Sequence, residues 1–182
     1  MTILLLTKKF KIVTLIFSKE YNGKRVIHGL SAEYEPGNVY CFEGPSGSGK
    51  TTLFRVLSGL EVVNEGSVDT GANQISYLFQ EDRLCEEYSA LKNVELVTGD
   101  AEHAKTQLLQ LLEEAHINKP CRELSGGMRR RVALVRTMAV RAQMYLLDEP
   151  YNGLDEENRE RVKEYIAKNS KGSVVLIASH IE

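Results

Sequence analysis

Apolar residues in this chain fall into short unbroken runs, separated by longer stretches in which they recur every three or four positions. The runs Ile12–Phe17, Val39–Glu43, Ile75–Phe79, Met144–Leu147 and Ser173–Ala178 are rich in β-branched and aromatic residues. Runs of that kind are characteristic of strands covered on both faces, as in a parallel sheet. The remaining apolar positions follow a helical period. One predicted helix begins at Gly49 and turns Leu53, Val56, Leu57 and Leu60 inward, with Gly59 near its end. A second covers His103 to His116 through Leu108, Leu111, Leu112 and Ala115. A third starts at the Ser125-Gly126-Gly127 turn and buries Met128, Val132, Val135 and Ala139. A fourth, capped by Asp155, runs to about Asn169 and packs Val162, Tyr165 and Ile166. Strands alternating with helices predict an α/β fold.

Between Gln80 and Leu124 the strand patterns stop and charged, helical sequence takes over. This predicts one domain over residues 1–182, with a core at about 1–80 and 125–182 and a helical lobe inserted at about 81–124. The N-terminal run Ile3 to Phe17 is broken by Lys8, Lys9 and Lys11, so it falls short of the ~20 apolar residues that span a bilayer. With its charges in the middle it is not a signal peptide either, and one or two early strands explain it better.

A chain of 182 residues with 42% hydrophobic and 26% charged positions can bury a proper core. Its net charge of −2 argues against a nucleic-acid surface, and the run Arg129-Arg130-Arg131, set on a helix, reads as a solvated face. The three cysteines, Cys41, Cys85 and Cys121, are widely spaced and odd in number. They form neither a disulfide framework nor a zinc spacing, and they read as small buried apolar residues in a reducing compartment.

Two segments carry chemistry. Gly44-Pro45-Ser46-Gly47-Ser48-Gly49-Lys50-Thr51 fits G-x-x-x-x-G-K-[ST], between a strand and a helix as a P-loop requires. Its glycines let backbone N–H groups converge on phosphates, and the helix N-terminus adds free donors and a favourable dipole. Lys50 is placed to reach the β- and γ-phosphates, and Thr51 to ligate Mg²⁺. The strand Met144-Tyr145-Leu146-Leu147 ends in Asp148-Glu149, which delivers carboxylates to the sheet edge where open α/β sheets bind ligands. Asp148 suits Mg²⁺, and Glu149 suits orienting or deprotonating an attacking water. Taken alone, an apolar strand followed by Asp-Glu is also an ordinary strand-to-turn junction.

The order of these motifs resembles that of ATP-binding cassette (ABC) ATPases over nearly the whole chain, from about Phe17 to His180. Leu124-Ser125-Gly126-Gly127-Met128 resembles the family signature, with Met where Gln is more usual. Gln80 resembles the Q-loop glutamine, Gly153-Leu154-Asp155 the D-loop, and His180 the switch histidine. Tyr21 lies where the family places an aromatic that stacks on adenine. The resemblance implies a P-loop NTPase core with an inserted small helical subdomain and an N-terminal β-rich portion. It implies ATP binding by Tyr21, Gly44, Pro45, Ser46, Gly47, Ser48, Gly49, Lys50, Thr51 and Thr52, with Ser125, Gly126 and Gly127 gripping the partner's ATP. It further implies Mg²⁺ at Thr51, Gln80 and Asp148, and catalysis by Glu149, Gln80 and His180, with Asp155 shaping the dimer contact. Members usually continue past the switch histidine, and the lobe here is short, which implies a compact or trimmed member.

The implied function is the ATP-hydrolysing subunit of a transporter, cytoplasmic and peripheral on the inner face of the membrane. It would act as a homodimer or with a paired ABC subunit, beneath integral membrane permease chains and without nucleic acid. Phe79-Gln80-Glu81-Asp82-Arg83-Leu84 and Leu91-Lys92-Asn93-Val94 resemble importers of nitrate, sulfonates and taurine, with exporters left open. The competing class is a soluble ABC ATPase in DNA repair, chromosome organisation or translation. Repair and chromosome members need a long coiled coil, for which the segment between the motifs is too short. A P-loop kinase would leave the signature string without a role.

Overall fold

The computed structural model describes residues 12–180. The Ile3–Lys11 part of the N-terminal run and the terminal Glu182 lie outside the described residues. The described residues open with a hairpin of β1 (Ile12–Tyr21) and β2 (Lys24–Tyr34), the latter a strand absent from the sequence expectations. Asn22 and Gly23 close it, both at positive φ (48° and 77°), the turn whose twist matches that of a hairpin. The Asn-Gly pair was the signal that could have disclosed β2. A short β4 (Val68–Asp69) pairs with β1 and completes an antiparallel sheet of order β2-β1-β4.

The second sheet is parallel, with order β3-β7-β6-β5. It consists of β3 (Val39–Glu43), β5 (Ile75–Leu78), β6 (Met144–Asp148) and β7 (Val174–Ser179). Side chains alternate across a strand, and both faces of the central strands are covered. Met144, Leu146, Val174, Leu176 and Ala178 join one core with Phe17, Ile27, Phe54 and Leu57. Tyr145, Leu147, Val175 and Ile177 join the other, which is built on the helices. This is why β6 and β7 are apolar at almost every position.

Helix α1 (Lys50–Leu57) follows the P-loop and buries Leu53, Phe54, Val56 and Leu57. It ends in a Schellman turn: Gly59, at φ 74°, donates its N–H to Val56 and Leu60 donates to Arg55. That turn carries Leu60 outward, 52% exposed, against the expected inward position.

Between β5 and the later helices come α2 (Ala90–Thr98), α3 (Ala101–Leu108) and α4 (Glu114–Ile117). The single helix predicted over His103–His116 is therefore two. It starts at the Asp100 cap, and past Leu108 the N–H of Leu111 turns back to the Leu108 carbonyl, three residues away. The tightening still buries Leu111 and Leu112, but Ala115 faces solvent and Ile117 takes the inward place.

Helix α5 (Gly126–Met138) is capped by Ser125, and α6 (Glu156–Asn169) by Asp155; α6 buries Val162, Tyr165 and Ile166. Met128 and Ala139 are partly buried against the helical core. Arg130 and Arg131 correct the solvated-face expectation, since they are 4% and 8% exposed. The cysteines correct another: Cys121 is buried, while Cys41 and Cys85 are exposed. Among the described residues, no helix is long and apolar enough to cross a membrane.

Candidate active site

The loop from Gly44 to Gly49 lies between the end of β3 and the first turn of α1. Gly49 has φ 96°, and a Cβ there would come within 3.2 Å of both the Val26 side chain and its carbonyl. A side chain at that position would thus push the loop away from β2. The first turn of α1 has no acidic residue and no side-chain cap, so its N–H groups and dipole are available to an anion. Lys50 Nζ reaches into the loop and donates to Gly44 O (2.6 Å), Pro45 O (3.1 Å) and Ser48 Oγ (3.3 Å). One cleft of about 270 Å³ is lined by residues 46–52 together with Gln80, Glu149 and His180.

The carboxylates come from the C-terminal end of β6. Asp148, 1% exposed, accepts a hydrogen bond from Thr51 Oγ1 at 2.7 Å and a longer one from the Tyr77 hydroxyl at 3.4 Å. Burial pushes its carboxyl above the usual range, the Thr51 bond opposes this, and the neighbouring Glu149 charge adds to the rise. Burial and the same Asp148 raise the Tyr77 hydroxyl, so it stays a donor. Glu149 takes a left-handed backbone, φ 52°, rare for a residue with a side chain. Its N–H donates to Ala178 O at 2.8 Å, and its carbonyl accepts from Arg130 Nε at 3.1 Å. The Glu149 carboxylate pairs with His180 Nε2, which arrives from the end of β7.

The remaining sequence-derived candidates stand elsewhere. Ser125, Gly126 and Gly127 form the N-terminus of α5 and are not among the residues lining the cleft. Ser125 Oγ accepts from Met128 N–H at 3.2 Å. A Cβ on Gly127 would meet Gly153 O at 3.0 Å, whereas one on Gly126 would meet nothing within 4 Å. The signature turn thus packs on Gly153-Leu154 of its own chain and leaves Gly126 open. Tyr21, 38% exposed at the end of β1, does not line the cleft, and Lys19 Nζ sits 4.8 Å from its ring centroid.

The profile of a known family, described as ABC transporter, matches residues 27–152. The chain belongs to the ABC transporter family. Within it, this chain is an ATP-hydrolysing subunit that energises transport. The aliphatic sulfonates import ATP-binding protein SsuB 1 of Rhodococcus jostii is 35% identical over 175 residues, covering 89% of this chain and 70% of the relative. The sulfate/thiosulfate import ATP-binding protein CysA of Synechococcus elongatus is 32% identical over 169 residues, covering 83% of this chain and 49% of the relative. Against the latter the chain spans about half the length. A solved putative ABC transporter ATP-binding protein from Pyrococcus furiosus superposes with TM-score 0.84 at 28% identity, over 94% of this chain and 92% of that one. In the sequence, the G-x-x-x-x-G-K-[ST] pattern marks the P-loop and the apolar strand ending in Asp148-Glu149 marks both carboxylates.

Two buried polar residues beside this site were given no such role from the sequence. Arg130 donates into the ends of β5 and β6. Asn93, 2% exposed on α2, exchanges hydrogen bonds with both the N–H and the carbonyl of Cys85, ordering the loop that follows Gln80. Their signal was a polar residue at an inward helical position.

Proposed function

We propose that this chain energises the import of a small sulfur oxyanion, a sulfonate or sulfate, through separate membrane-spanning chains. It works at the cytoplasmic face of the membrane as a head-to-tail pair that closes over two ATP molecules. The observation that carries this reading is the division of the site. The cleft gathers the P-loop, Gln80, Glu149 and His180, while Ser125–Gly127 lie outside its lining at the Ser125-capped N-terminus of α5. Under a two-fold axis each copy supplies the other with the missing half. The names of the relatives support import of sulfur oxyanions and favour a transporter over a soluble repair or translation ATPase. Apolar side chains exposed on the lobe side, Tyr88, Leu96 and Val97, support contact between the lobe and a permease.

In this reading Lys50 gives up its contacts to the loop carbonyls and takes the β- and γ-phosphates, while the α1 N-terminus holds the rest of the phosphate chain. Tyr21 stacks on adenine. The donor set fits Mg²⁺. The Thr51 hydroxyl, which lines the cleft with Gln80, lies 2.7 Å from a carboxylate oxygen of Asp148, and among the described residues no cluster of three or more His, Cys, Asp or Glu could hold a metal. Such a site suits an ion that keeps its waters and shares phosphate oxygens. When bound, the ion supplies charge neutralisation at those oxygens. Glu149 orients or deprotonates the attacking water. His180, joined to Glu149, hydrogen-bonds the terminal phosphate and registers its loss.

Glu149→Gln tests this reading. It is expected to keep ATP binding, to lose turnover by about 10²-fold or more, and to accumulate an ATP-bound dimer in light scattering after gel filtration. Normal turnover, or a monomer throughout, would overturn the assignment.

A further inference from the structure

Arg130 lies on the signature helix α5, little more than one turn from its Ser125 cap, and is 4% exposed. Its guanidinium donates to the Phe79 (2.8 Å) and Gln80 (3.2 Å) carbonyls beyond the end of β5, and to the Asp82 carboxylate (3.1 Å). It also donates to the carbonyls of Asp148 and Glu149 at the end of β6, the latter at 3.1 Å. One side chain therefore joins the two strand ends that present Gln80, Asp148 and Glu149 to the phosphate cleft.

The contact with Glu149 falls on a strained backbone. A non-glycine residue at φ 52° persists only where its surroundings over-determine it. Here the N–H is held by Ala178 and the carbonyl by Arg130 Nε together with the Asn152 N–H of the following turn (3.2 Å), so the peptides flanking the Glu149 side chain are fixed from β7, from α5 and from that turn. A rigid planar fork with five donors can serve these acceptors together; a lysine ammonium, with three donors at one point, cannot.

We propose that Arg130 is a positioning residue for hydrolysis. It ties the Glu149 carboxylate and the Gln80 amide to the helix whose N-terminus carries Ser125–Gly127, so that hydrolytic geometry is set from the signature helix. Arg130 does not line the phosphate cleft, and its effect runs through the backbone of Glu149 and Gln80. The inference rests on the reading of Glu149 and Gln80 as hydrolytic residues.

The test compares the full chain with Arg130→Lys and Arg130→Met, at protein concentrations that support turnover. The measurements are kcat and KM for ATP, binding of a fluorescent ATP analogue, and the thermal midpoint. Since Lys50 and the P-loop are untouched, analogue binding and KM are expected to stay within about threefold. The kcat is expected to fall about 10²-fold in both variants, the size of loss a misplaced reacting group produces. Arg130→Lys keeps the charge and the aliphatic stem, so it decides the matter even if Arg130→Met does not fold. A wild-type kcat in Arg130→Lys overturns the proposal, as does a kcat loss no larger than the loss of folded protein at the assay temperature. Failure of the underlying reading looks different: the unmodified chain would bind the analogue without hydrolysing ATP, or Glu149→Gln would turn over normally.

Discussion

Asp148 illustrates how a site residue can be costly to the fold that holds it. Its carboxylate is shielded from water, with Thr51 and Tyr77 as donors and Glu149 as a like-charged neighbour, and burial is the largest influence on its proton affinity. Because its folded pKa is raised, the native chain retains a proton in a pH range where the unfolded chain has already released it. Stability therefore falls as pH rises from the ordinary carboxylate range through the native pKa of Asp148, and stays at the lower level above it. Asp148→Asn removes that titration. In the absence of nucleotide the variant is expected to melt higher than the unmodified chain at pH 7.5. Its advantage should shrink as pH falls toward 4, and its ATP hydrolysis should be lost. Thermal unfolding at several pH values checks the sign; a variant less stable than wild type at pH 7.5 would contradict it.

At the scale of elements, the first turn of α5 offers two adjacent glycines with opposite surroundings. A methyl group on Gly127 would strike the Gly153 carbonyl at 3.0 Å and the Leu154 side chain at 3.3 Å. Gly127→Ala is therefore expected to cost about 1–3 kcal/mol through overpacking. A methyl group on Gly126 meets open space in the single chain, and Ala is the better helix former. Under the proposed pairing, Gly126→Ala should keep or slightly raise the melting temperature while lowering hydrolysis at least tenfold, because the crowding would arise only when a second copy brings its ATP to this turn. Melting curves paired with hydrolysis rates separate the two effects. Full activity in Gly126→Ala would remove this turn from the phosphate contact.

For the molecule as a whole, the parallel sheet divides the interior into two cores that share strands β6 and β7. Leu146 is fully buried in the core beneath α1 and the antiparallel sheet, one residue from the helical core on either side. Leu146→Ala is expected to destabilise by about 2–5 kcal/mol. Leu60, 52% exposed beyond the Schellman turn, is expected to tolerate alanine within about 0.5 kcal/mol. Denaturant titration measures both, and similar losses would mean that Leu60 is buried after all.

What could be read from the residues alone was what depends on near neighbours in the chain. A strand, a glycine-rich loop and a helix start make a phosphate cradle within a dozen residues, whatever surrounds them. The unbroken apolar runs disclosed buried strands, because burial on both faces removes alternation. Ser125 and Asp155 showed their helix starts because a cap bonds only two or three residues ahead. Distance along the chain hid the rest. Thr51 meets Asp148 across 97 residues, and Glu149 meets His180 through the pairing of β6 with β7. The left-handed backbone of Glu149 is likewise held in part from α5 and β7. Arg130 looked like one of three solvated arginines, since periodicity places a side chain on a helix face but does not say what covers that face. Only the packing of α5 against the ends of β5 and β6 decided that this charge is buried and committed to the carbonyls beside the candidate hydrolytic residues.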